Sequence, residues 1–220
     1  MRVDEIRGDI LRAVLPFATW IGLQTVLPAT AWAYAVRTVA TVGVGLACLK
    51  GRGRGCCRPG ALVAGIALGL FVAALWILPE RFAAYRTWLC WPIGTQSAAP
   101  TPSPYDPTVC GWPLTVLKLV GSAFVIAPVE EVFFRSFLYR WLQRRDFTAV
   151  PLAHFDLSAF LWTVALFTLE HDRPLAAAVA GTLYGLAALR GGLGCAIAAH
   201  VVTNLALGLH VIGAGQWGFW

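Results

Sequence analysis

Charge is scarce in this chain. Asp, Glu, Lys and Arg make up 13% of its 220 residues, against about 25% in an average soluble domain. Hydrophobic residues make up 58%, and the mean hydropathy is +0.68. That balance excludes an ordinary soluble enzyme and indicates a polytopic membrane protein. Other features are missing too. None of the six cysteines (Cys48, Cys56, Cys57, Cys90, Cys110 and Cys195) pairs at the CxxC spacing of a zinc site. There is no internal repeat, which counts against a transporter built from paired halves. No coiled coil and no separate soluble domain can be read. The net charge of +6 does not indicate nucleic acid, because many basic residues cluster in short loops, where membrane topology explains them.

What is present is a series of apolar runs. Ile10–Leu27, Trp32–Leu49, Ala61–Leu78, Leu114–Arg145, Leu157–His171, Leu175–Leu189 and Cys195–Ile212 each read as a helix crossing or entering a bilayer. The expected fold is all-α, a transmembrane helical bundle of seven spans, with eight left open. A signal peptide ending at Ala31-Trp32-Ala33 is the alternative for the first run. Asp4, Glu5 and Asp9 among the N-terminal arginines favour a retained helix. Arg37, near the start of the second run, is expected to snorkel to the interface. Ten Trp suit interfacial anchoring.

The chain reads as one membrane domain, residues 1–220. N-terminal helices occupy 1–78, a long Pro- and Trp-rich loop 79–113, a helical core 114–212 and a tail 213–220. The turn from Lys50 to Pro59 carries four positive charges and no acid, so it marks the cytoplasmic side. With the N-terminus inside, Arg140, Arg144, Arg145 and Arg190 fall on that side as well. Cys90 and Cys110 share the long loop, and a disulfide between them is open.

The chemistry sits in the core. Glu130, Glu131 and Arg135 lie in an apolar run, where an ionisable side chain costs about 2.5 to 3.5 kcal/mol on insertion scales. Glu131 and Arg135 stand at i and i+4 with the acid first, the favourable order for an ion pair. Glu130 points about 100° away from Glu131 and is left free. His171 closes Phe167-Thr168-Leu169-Glu170-His171, and His200 and Asn204 share a face of the last helix. His154 and His210 are read as structural. Cys195 is off-face from His200, so no Cys–His nucleophile is read. Pro128 is a candidate for bending the long helix.

Counting residues from the turns brings Glu130 and His171 to the same height, in the outer half. His200 and Asn204 fall somewhat lower, unless the long helix projects beyond the membrane. A carboxylate and an imidazole sharing a water make a general base. Two donors such as His200 and Asn204 can stabilise an oxyanion. The set suggests amide hydrolysis. A divalent metal on two Glu and two His is the competing reading, opposed by the poor ligand Asn204 and by the claim of Arg135 on Glu131.

Glu130-Glu131-x-x-x-Arg135, Phe167-x-x-x-His171 and His200-x-x-x-Asn204, in that order on membrane helices over about Leu114–Leu209, resemble the CPBP family. This is the CAAX protease and bacteriocin-processing (Abi) group of glutamate-type intramembrane proteases. The long loop and the terminal Gly215–Trp220 resemble the subgroup associated with exosortases. The resemblance implies an endopeptidase acting on a membrane-associated protein or peptide in the lipid bilayer. Glu130 and His171 would polarise water, Glu131 and Arg135 would support the site, and His200 and Asn204 would form the oxyanion hole. It implies no cofactor and no metal, although the family is also described as metalloendopeptidase. It also implies a site open to the cytoplasm, while the height count places the site outward. A bacterial inner membrane location and a protein-sorting partner are further expectations. The alternative function is a non-catalytic accessory, scaffold or immunity protein.

Overall fold

The structure, a computed structural model, describes residues 3–49, 59–82 and 102–220. Among these residues the secondary structure is helical, without strands. Helices α1 (Val3–Val26), α2 (Ala31–Leu49) and α3 (Pro59–Ile77) come first. A short α4 (Pro107–Cys110) precedes the long α5 (Trp112–Gln143). Then come α6 (Leu157–Leu169), α7 (Pro174–Gly191) and α8 (Leu193–Ala214).

The seven long helices match the seven apolar runs. Four of them, α2, α3, α5 and α8, are long and apolar enough to cross a membrane. Helix α6 has 13 residues, about 20 Å, short of a hydrocarbon core of about 30 Å. The outer surface is apolar: Val63, Leu70 and Phe71 on α3, and Leu161, Trp162 and Leu166 on α6, are exposed. This inside-out exposure is what a multi-pass membrane protein presents to lipid.

Helix boundaries follow local chemistry. Asp156 caps α6, its side chain accepting the Ala159 N–H at 2.7 Å. Pro174 opens α7 where its missing N–H costs nothing. Gly192, at φ +82°, allows α7 to turn directly into α8. In the connection before α5, the Asp106 carboxylate accepts hydrogen bonds from the Thr108 side chain and backbone, which hold its pKa below the usual value.

Helix α3 lies parallel to α8 and very close. A Cβ on Gly65 would come within 2.6 Å of the Cys195 carbonyl oxygen, and one on Gly69 would collide with the Ala199 carbonyl. Two glycines four residues apart thus let the backbones touch. Thr203 seals the contact by donating to Gly69 O at 3.0 Å.

The long helix is not uniformly α. Two π-helical stretches, Ser122–Ile126 and Val132–Leu138, bracket a five-residue α segment, Ala127–Glu131. Pro128 therefore does not end the helix. It follows a widened turn, in which the Ala127 N–H donates to Ser122 O five residues back. Such π turns are often found at functional sites.

Arg37 departs from expectation. It does not snorkel: it is 7% exposed, with its guanidinium 4.6 Å from the Trp20 ring centroid and 5.5 Å from that of Tyr34. Trp20 and Tyr34 sit on helices that meet through the short turn after Val26, so the cation is held by aromatic faces instead of water. Cys90 lies outside the described residues, and with it the question of a Cys90–Cys110 disulfide.

Candidate active site

The two π stretches frame the carboxylates. Glu131 is fully buried, and its Oε2 faces Arg135 Nε at 3.3 Å. The guanidinium also donates from Nη2 to Gly181 O at 3.0 Å and stacks on Phe167, 4.6 Å from the ring centroid. The i, i+4 pair read from the sequence is therefore present, and α6 and α7 hold its cation in place. Close packing is needed here: a Cβ on Gly181 would press on Phe167 at 2.9 Å.

His200 joins both carboxylates. Its Nδ1 lies 3.0 Å from Glu131 Oε1, and its Nε2 lies 3.5 Å from Glu130 Oε2. An ionised carboxylate only accepts, so Nδ1 carries a proton toward Glu131. The Nε2 approach to Glu130 is longer than a hydrogen bond. The imidazole stacks on Tyr184 at 4.6 Å between centroids, and 21° between planes fixes its orientation.

A cavity of about 220 Å³ opens beside this cluster. Glu130, His171, His200 and Asn204 all line it. Glu131 and Arg135 lie behind it. The His171 Nδ1 is 2.8 Å from Phe167 O. A carbonyl only accepts, so Nδ1 carries the hydrogen, and a neutral ring keeps Nε2 as its acceptor. Phe167 and Trp76 flank the ring, with centroids 4.5 and 5.8 Å away. No direct hydrogen bond joins Glu130 to His171 among the described residues; they meet across the cavity. Asn204 Nδ2 donates to Ser122 O at 3.0 Å, the same carbonyl that accepts from Ala127 in the π turn. One of its amide hydrogens is thus used to support α5, leaving the other.

The height discrepancy between His200 and Glu130 disappears because α5 runs past the α7–α8 turn. Twelve residues separate Glu131 from the end of α5 and seven separate His200 from the start of α8, a difference of about 7 Å. The two side chains nonetheless meet.

Several cavity residues were not singled out by the sequence reading. Glu170 lines the cavity beside His171 and interacts electrostatically with Glu130. Lys118 lines it too, its ammonium 4.2 Å from the Tyr34 ring and 4.8 Å from the Tyr105 ring. The tail returns as well: Trp220 lines the cavity, and Arg173 fastens the tail by donating to Gly218 O at 2.8 Å while paired with Glu80 at 2.7 Å. A lone charge at a helix end gives no sequence signal for such distant partners. His154 and His210 stand apart from the cavity. Among the described residues no three His, Cys, Asp or Glu side chains are arranged to hold a metal ion.

Fold and site together define an α-helical membrane protein with a buried Glu/His cavity. Residues 112–206 match the family model described as Type II CAAX prenyl endopeptidase Rce1-like, a little under half of the chain and nearly the stretch over which the motifs run. The match is consistent with the CPBP/Abi family and supports a membrane endopeptidase. Comparison with curated proteins and with solved structures gave no significant match.

Proposed function

We propose that this protein is an intramembrane endopeptidase of the glutamate type, hydrolysing a peptide bond of a membrane-associated protein or peptide. The observation that carries the reading is the division around one cavity. Glu130, His171, His200 and Asn204 line it, and Glu131 with Arg135 lies behind.

The residues then have distinct tasks. Glu130 takes a proton from water, and the His171 Nε2 accepts the water's second hydrogen and holds its orientation. The oxygen bonds to the scissile carbonyl carbon as the carbonyl π bond opens. His200 Nε2–H and the remaining amide hydrogen of Asn204 donate to the resulting oxyanion. Glu130 returns its proton to the amide nitrogen as the C–N bond breaks. Glu131 fixes the His200 ring through Nδ1, and Arg135 holds the Glu131 carboxyl in place from the other side.

The test compares the termini of membrane proteins in cells producing wild type or Glu130→Gln protein at equal levels. New termini present only with wild type support the reading, and identical profiles overturn it. Treating purified wild type with a chelator separates the metal-dependent alternative. The account expects full cleavage after chelation; loss restored by zinc would favour a metal.

A further inference from the structure

The cavity lies toward one end of the bundle, and the positive charge lies at the other. Packing contacts fix the helix directions. Glu131 is level with His200, and Ser122 with Asn204, so α5 and α8 are antiparallel. Gly65 is level with Cys195 and Gly191 packs near Ala61, so α3 enters beside the α7–α8 turn. Arg12 and Cys48 share a lining with Pro128 and Val132, which places the start of α1 beside the end of α2.

One end of the bundle therefore gathers the start of α1, the end of α2 with the start of α3, the α5–α6 connection and the α7–α8 turn. In the sequence, residues 1–12, 50–58, 140–145 and 190 hold three, four, three and one of the 17 Lys and Arg residues. Eleven of 17 is a strong bias. Of the other six, Arg37 and Arg135 are buried in the bundle. Arg81, Lys118 and Arg173 lie toward the opposite end, Arg173 is paired with Glu80, and Arg86 lies outside the described residues.

Below Glu130 and His200, the cavity lining comes from the opposite end alone. Gln24 ends α1, Trp76 ends α3, Lys118 is near the start of α5, Asp172 lies in the α6–α7 turn and Trp220 is in the tail. Among the described residues, none from the basic end lines it. On the rule that basic connections stay in the cytoplasm, we propose that the cavity opens away from the cytoplasm. Its substrates are then polypeptide segments presented from the outer face of the membrane. The substrate half of this statement rests on the proposed endopeptidase function; the orientation does not. It is opposite to the cytoplasmic opening that the family resemblance implies.

The test uses reporters whose signal does not depend on cleavage. Alkaline phosphatase, active only outside the cytoplasm, and a green fluorescent protein that folds only inside are each placed after Trp220 and, separately, after Gly55. They are expressed in a bacterium in both wild type and Glu130→Gln backgrounds. The expected result is phosphatase activity with loss of fluorescence after Trp220, and the reverse after Gly55, in both backgrounds. Fluorescence after Trp220 with phosphatase activity after Gly55 would overturn the inference, as would both signals at one position. If the orientation is as expected but Glu130→Gln leaves the termini profile unchanged, the proteolytic reading fails and the orientation stands.

Discussion

Glu131, with both oxygens directed at cations or donors in a sealed layer, and Glu130, one residue earlier with its Oε2 beside an open cavity, are chemically identical side chains in different settings. Glu131 meets Arg135 at 3.3 Å and His200 at 3.0 Å. Glu130 has the longer, 3.5 Å approach of His200 Nε2 and lines the cavity, which Glu131 does not. The helix makes this division by rotating successive side chains about 100° apart. The difference teaches that a buried charge in this bundle is either neutralised by geometry or left available to a ligand. The layer behind the cavity is expected to carry stability and the cavity wall to carry chemistry.

Four substitutions sharpen or break that contrast. Glu130→Gln is expected to have the largest effect on catalysis, lowering cleavage by about 10² to 10⁴-fold, the usual contribution of a general base. The purified protein should unfold at a temperature no lower than wild type. Glu131→Gln is expected to act mainly on the fold, because it leaves Arg135 uncompensated. Removing one partner of a buried pair costs about 3 to 5 kcal/mol, read as a lower unfolding temperature in detergent. Equal thermal loss in both variants would erase the distinction between the two layers.

Asn204→Ala should cut turnover by about 10² to 10³-fold, as for loss of one oxyanion donor. Its bond to Ser122 O predicts a smaller fall in unfolding temperature, and a purely structural Asn204 would show that fall without a separate loss of turnover. Gly69→Val should have the smallest effect of the four on turnover, while overpacking against the α8 backbone costs at least about 1 to 3 kcal/mol of stability. It enters neither layer, so stability should fall while turnover per folded molecule is kept.

Much of the site was readable from spacing because its key relations are local to one helix. Glu131 and Arg135 are one turn apart, as are His200 and Asn204, and each pair is found on one helix face. Helix existence was readable from apolar runs. Relations between helices were not. Nothing in the sequence shows that one imidazole, His200, reaches both carboxylates, because that depends on α5 running past the α7–α8 turn. Arg37 looked like an interfacial cation because its aromatic partner Trp20 is 17 residues away on another helix. Glu170 and Lys118 drew no notice because a charge near a helix end is ordinary until a cavity is seen beside it. The π turns around Pro128 are also silent in sequence, where a proline predicts only a kink.

The central claim is that Glu130 performs the chemistry. The most direct measurement is cleavage by purified, lipid-reconstituted Glu130→Gln protein, shown to be folded by its unfolding temperature, on a peptide spanning a junction found in the termini profile. The account predicts no cleavage above background while wild type cuts at the junction. Cleavage by the folded variant at the wild-type rate would contradict it.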